Sequence, residues 1–158
     1  LTECTDLSVG AVASLFCSPQ LAGSLKRLSI SPFNRNLQPE SINAVPAFLP
    51  ALEFLSVPGN LVEDSFFDIL THMAPPLGLE VLEFTHPVAR GDGTLGFSTL
   101  SLVEALGTGL ANLRAVGFAD VFCTEERILE AEAIDNVLQK PGISDASGLD
   151  VDVGVYYM

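Results

Sequence analysis

The chain has 158 residues, 48% of them hydrophobic and 17% charged, which is enough apolar material for one domain with a substantial core and excludes a disordered tail. Seven Lys and Arg against twenty Asp and Glu give a formal charge of −13, which repels phosphate backbones and acidic membrane surfaces, so neither nucleic acid nor membrane is an expected partner. No run approaches the roughly 18 consecutive apolar residues of a membrane helix, so a soluble chain is expected.

The chain opens at Leu1 without Met, basic segment or apolar signal core, which reads as a cut from something longer. A weak apolar copy, Leu1-x-x-Cys4, precedes the first clear segment, Leu25-Lys26-Arg27-Leu28-Ser29-Ile30. Pro39-Glu40-Ser41 then opens a helix through Ile42, Val45 and Phe48, with Pro46 expected to kink or shorten it. The second segment is Leu52-Glu53-Phe54-Leu55-Ser56-Val57, followed by a helix that Asp64 is placed to cap and that shows Phe66, Phe67, Ile69 and Leu70 on its apolar face. The third is Leu79-Glu80-Val81-Leu82-Glu83-Phe84. An insertion from about Pro87 to Phe97 follows, with Arg90-Gly91-Asp92-Gly93 at its tip. It reads as a recognition loop or as a simple extended connection.

Ser98 to Leu110 spaces Leu100, Leu102, Val103, Leu106 and Leu110 for a third helix, ahead of the segment Leu113-Arg114-Ala115-Val116-Gly117-Phe118. Thr124-Glu125-Glu126-Arg127 is a capping signature before Ile128, Leu129, Ala133, Ile134 and Leu138. From Lys140 the composition turns loop-like, and alternation at Leu149, Val151 and Val153 marks a closing strand.

The four segments share one pattern, apolar-x-x-apolar-x-apolar, with Leu always first and with separations of 27, 27 and 34 residues. A strand followed by a helix, recurring at nearly constant period, requires parallel strands, and such units bury their apolar faces only by stacking. Stacking puts Leu25, Leu52, Leu79 and Leu113 in one core column and Leu28, Leu55, Leu82 and Val116 in a second.

These segments resemble the L-x-x-L-x-L-x-x-N core of leucine-rich-repeat proteins, and Leu52 to Asn60 matches it through the final Asn. The resemblance covers roughly residues 1–139 and implies an α/β solenoid with parallel strands on the concave face and helices on the convex face. It also implies that Asn60 caps backbone groups of its turn. Phe33, Pro87 and Val121 occupy that slot in the other repeats, so the asparagine ladder of the family is missing. Repeat length and helical outer face look like the ribonuclease-inhibitor-like or the cysteine-containing subclass, the latter common in F-box proteins.

Strand residues alternate between faces, so the x positions should line the concave sheet. Three columns follow: Lys26, Glu53, Glu80, Arg114; then Arg27, Phe54, Val81, Ala115; then Ser29, Ser56, Glu83, Gly117. Phe54 and Val81 are expected to be apolar groups facing water, where they could anchor a protein ligand or simply reflect β-propensity. Glu53, Glu80 and Glu83 make an acidic patch suited to a basic partner, or a solvated face. The partner-binding residues expected are Arg27, Glu53, Phe54, Glu80, Val81, Glu83 and Arg114.

Signals for chemistry are weak. His72 and His86 stand alone, and Cys4, Cys17 and Cys123 lack metal-ligand spacing, so no metal or cofactor is expected. An odd set of unpaired thiols fits buried free cysteines in a reduced, intracellular setting. Neither a nucleophile elbow nor a phosphate loop is present, and Glu80 and Glu83 lack any sign of a pocket that would split their pKa values. The expectation is a non-catalytic protein-interaction scaffold, with F-box-type substrate recognition as the family's suggestion. The alternatives are a doubly wound α/β enzyme, whose strand order would reverse around a crevice, and a secreted ligand-binding solenoid.

Overall fold

In a computed structural model, residues 6–88, 94–139 and 153–158 are described. The elements run α1 (Val9–Phe16), α2 (Pro19–Ala22), β1 (Arg27–Ser29), α3 (Pro39–Asn43), α4 (Val45–Phe48), β2 (Phe54–Pro58), α5 (Asp64–Thr71), β3 (Val81–Thr85), α6 (Thr99–Leu106), β4 (Ala115–Phe118), α7 (Glu125–Leu138) and β5 (Gly154–Tyr157). Short 3₁₀ turns at Gly59–Leu61 and Asp120–Phe122 follow β2 and β4.

The strands form one open parallel sheet in the order β1-β2-β3-β4-β5, each beside its neighbour in sequence. The reversal that a doubly wound fold requires is therefore missing from this sheet. The registers align the four segments: Leu28 meets Leu55, Leu55 meets Leu82 and Leu82 meets Val116. Val155 continues that column on β5.

All the helices with buried residues pack on one side. Val12 and Phe16 of α1, Ile42 of α3, Val45 of α4, Phe66, Phe67 and Leu70 of α5, Leu102 and Leu106 of α6, and Ile134 and Leu138 of α7 share a cluster with Leu28, Leu55, Leu82 and Val116. Leu52, Leu79 and Leu113 are buried in the same cluster, and Leu25, at the edge, is partly buried against it. An aromatic run crosses the repeats within this layer: Phe66–Phe67 at 5.3 Å, Phe67–Phe97 at 4.9 Å, Phe97–Phe84 at 4.7 Å and Phe84–Phe118 at 5.3 Å.

Several local expectations need correction. Pro46 is the exception, since it shortens the helix as expected: the stretch divides at Ala44 into α3 and α4, because Pro46 supplies no N–H and is tolerated only in the first turn of the second piece. Asp64 is not a cap. Glu63 holds that position, while Asp64 Oδ1 accepts from Ser98 N at 2.9 Å and so ties α5 to the start of the following helix. Hydrogen bonds from the Ser101 hydroxyl and the Ser98 amide hold the Asp64 carboxyl below its ordinary pKa. The third helix stops at Leu106, where Gly107 caps it, four residues short of Leu110. Phe48, Ile69, Leu100 and Ile128, expected on buried faces, are exposed, because each lies at the margin of a stripe narrower than its spacing suggests.

Cys17 and Cys123 are exposed instead of buried, one capping α1 and the other following a 3₁₀ turn, where no second layer covers them. The copy at Leu1 to Cys4, the tip Arg90 to Gly93, and Leu149 and Val151 lie outside the described residues. The flanks of the insertion are structural: Leu95 and Phe97 are buried in the core and Glu63 bridges Gly96. No helix among the described residues is long and apolar enough to cross a membrane.

Candidate partner-binding face

The face of the sheet opposite the helices is built from the x positions, in the register expected. One row runs Arg27, Phe54, Val81, Ala115, Gly154, and another runs Ser29, Ser56, Glu83, Gly117, Tyr156. The first row shrinks toward β5 while the second ends in the largest side chain of the face.

The Arg27 guanidinium lies 4.4 Å from the centre of the Phe54 ring, a cation–π contact worth about 0.5–1 kcal/mol at an exposed site. Phe54 is half-buried beneath it. Beside them Lys26 Nζ reaches Glu53 Oε1 at 2.6 Å, with both side chains well exposed. The row of Lys26, Glu53, Glu80 and Arg114 thus begins with a compensated pair. Glu80 is half-buried, and its Oε2 has no hydrogen-bond partner among the described residues.

Two expected surface residues are not on the surface. Val81 is 1% exposed and Arg114 8% exposed, so neither can serve as an open contact. Val81 sits on the central strand beside Phe54 in its row, and strands spaced about 4.8 Å apart place the larger Phe54 side chain against it. Glu53 and Glu83 are also less free than an acidic patch implies, since Lys26 neutralises the first and a phenol occupies the second.

That phenol belongs to Tyr156, which the sequence reading missed. Its ring lies over Gly117, where an added Cβ would come within 2.8 Å of it, and its hydroxyl donates to Glu83 Oε1 at 2.7 Å. The alternation from Leu149 through Val153, extended three more residues, would have put Val155 on the core side and Tyr156 on this face. The side chains that remain accessible among the described residues of these rows are Lys26, Arg27, Ser29, Glu53, Phe54, Glu80, Glu83 and Tyr156.

Burial and the bond to Glu83 push the Tyr156 hydroxyl above its ordinary value near 10. A raised folded-state pKa means that the stabilisation is fully present below pH 10 and is lost as pH rises toward the folded value. Tyr157 is raised as well, mainly by burial. A Tyr156→Phe variant is therefore expected to unfold less steeply than the parent between pH 10 and 12 in urea titrations, without losing the alkaline slope that Tyr157 contributes. Equal slopes would remove Tyr156 from the account.

At the carboxyl edge of the strands, Asn60 Oδ1 accepts from Val88 N at 2.9 Å. Its side chain thus ties its own turn to the one that follows β3, a variant of the capping role that the resemblance implied. In the first repeat Phe33 is exposed, but Asn34, one residue on, is fully buried and donates to the Ser31 carbonyl at 3.2 Å. An asparagine therefore does lie buried in that turn, displaced by one residue from the expected slot. A groove of about 270 Å³ opens here between Arg35, Gln38, Asn60 and Val88. Comparison of the chain with protein-family models, with curated proteins and with solved structures found no match.

Proposed function

We propose that this chain is a stretch of leucine-rich-repeat solenoid that acts as a non-catalytic protein-interaction scaffold, with the helix-free face of the sheet as its docking surface. The observation that carries the reading is the register. Positions 27, 54 and 81 pair across neighbouring strands, as do 29, 56 and 83, so equivalent residues of each repeat form rows on the face that the helices leave uncovered. Function in such an architecture resides in the row residues and not in the Leu columns.

Phe54 under Arg27 at one side and Tyr156 at the other are residue types enriched in protein interfaces. The partner they fit is a protein carrying both an apolar anchor and polar groups of either sign, since Lys26 and Arg27 stand beside Glu53 and Glu80. Substrate recognition in an F-box-type ubiquitin ligase receptor is the finer form of this reading. It rests on the family resemblance alone.

A photo-crosslinking residue placed at position 54, and in a separate protein at Leu100 on the exposed side of α6, tests the assignment. Adducts from cell extract are expected at position 54 and not at 100, with Arg27→Glu reducing their yield. Adducts confined to position 100 would move recognition to the helices.

A further inference from the structure

Among the described residues β5 is an edge of the sheet, and that edge is occupied in a way that the inner strands are not. In a parallel ladder alternate residues direct both N–H and C=O to the same neighbour. Gly154 N donates to Arg114 O at 2.9 Å and Met158 N to Phe118 O at 3.0 Å, so residues 154, 156 and 158 face β4. Residues 155 and 157 then face away from the sheet, toward the place a sixth strand would take.

The outward N–H of Val155 is already used. It donates to Asp135 Oδ1 of α7 at 2.6 Å. The same carboxylate sits 2.8 Å from where a Cβ on residue 154 would project, and that residue is Gly at φ +132°, a conformation an L side chain rarely adopts. The close approach of Asp135 and the glycine that permits it thus form one unit. On β4 the corresponding group, Val116 N–H, faces β5, where the next strand takes it up.

We infer that Asp135 is an edge guard: it withdraws the β5 amide that strand addition requires and so closes the sheet against a second copy of this chain. Exposed strand edges are templates for pairing, and two identical β5 edges can meet antiparallel about a two-fold axis, each presenting the same outward groups. A charged acceptor on that edge also disfavours any strand that would bury it.

The test uses the full chain with Asp135→Ala and Asp135→Asn, since the Asn side chain keeps an oxygen that can accept from Val155 N. Sedimentation velocity over a concentration series should show Asp135→Ala associating to a dimer or larger species while the parent and Asp135→Asn remain at the size of one chain. Hydrogen exchange at the Val155 amide, read at low concentration, should be about tenfold faster in Asp135→Ala than in the parent, the factor expected for loss of one hydrogen bond. If Asp135→Ala frays β5, exchange at Gly154 and Tyr156 rises in step with Val155, and the guard reading fails in favour of a merely structural tether. Unchanged Val155 exchange in Asp135→Ala, or equal association of the Ala and Asn variants, would also overturn it.

Discussion

Replacing Phe84 by alanine is expected to lower the unfolding free energy by about 3–5 kcal/mol, the range found for large buried aromatics. Phe84 is fully buried on β3, the middle strand of the sheet, with Phe97 at 4.7 Å and Phe118 at 5.3 Å. Removing the ring takes away its own transfer energy and also leaves both neighbours facing a void, which a layer closed by a sheet on one side and helices on the other can refill only in part. For a chain of this length the melting temperature should fall by roughly 6–20 °C. Urea unfolding monitored by circular dichroism gives the free-energy change directly. A loss below about 1 kcal/mol would mean that the aromatic run is incidental to the core, and Phe84→Leu should recover most of the difference because it keeps most of the volume.

Replacing Gly109 by alanine is expected to cost about 3 kcal/mol, although it adds a single methyl group. A Cβ there would stand 1.9 Å from the Leu70 carbonyl oxygen and 2.4 Å from its carbon, so the obstacle is the backbone of α5 and not a side chain that can rotate away. The turn carrying Gly109 also accepts from Leu77 N at 2.9 Å, and Asn112 nearby donates to the Leu77 carbonyl at 3.0 Å. Relieving the clash would lengthen this seam between α5 and the turn after α6 and weaken bonds worth about 1 kcal/mol each. Gly107→Ala is the matched control. Its nearest contact would be an ordinary 3.5 Å from Glu104 O, so its effect should stay within about 0.5 kcal/mol. Similar melting temperatures for the two variants would contradict the close approach at residue 109.

These two expectations concern the spine, whereas the proposed docking surface concerns the other side of the same strands. The division is physical. Leu55 and Leu82 point into a layer where each lost contact costs stability, while Phe54 and Arg27 touch each other at the border of solvent, where a change costs little folding energy. Substitutions at 27 and 54 can therefore report on binding without the loss of fold that Phe84→Ala risks.

Much of this arrangement was legible from spacing. The leading Leu of each segment and the 27-residue separations announced equivalent strands, and strict alternation within a strand assigned each residue a face, because the two-residue period of extended backbone allows no other choice. Two of the three rows expected on the helix-free face, those of Arg27 and of Ser29, match the observed register, whereas Lys26, Glu53, Glu80 and Arg114 lie just ahead of the strands. The helical stretches from Pro39 onward were equally readable, since capping residues and apolar stripes are local signals, whereas α1 and α2 were not read from the sequence, and ends such as Leu106 and the division at Ala44 depended on which hydrogen bonds the termini find.

What the tertiary structure alone decided is how deeply each row residue lies and what it touches. Alternation says that Val81 leaves the core side, but it cannot say that neighbouring strands bury it, because burial depends on side chains brought together from distant parts of the chain. Tyr156 reaching Glu83 across 73 residues, Asp64 engaging Ser98 across 34 and Asp135 engaging Val155 across 20 are of the same kind. Local sequence sets direction through backbone geometry, and long-range packing sets exposure, partners and charge state. On this protein the first determined the sheet, and the second determined which of its residues remain available to a partner.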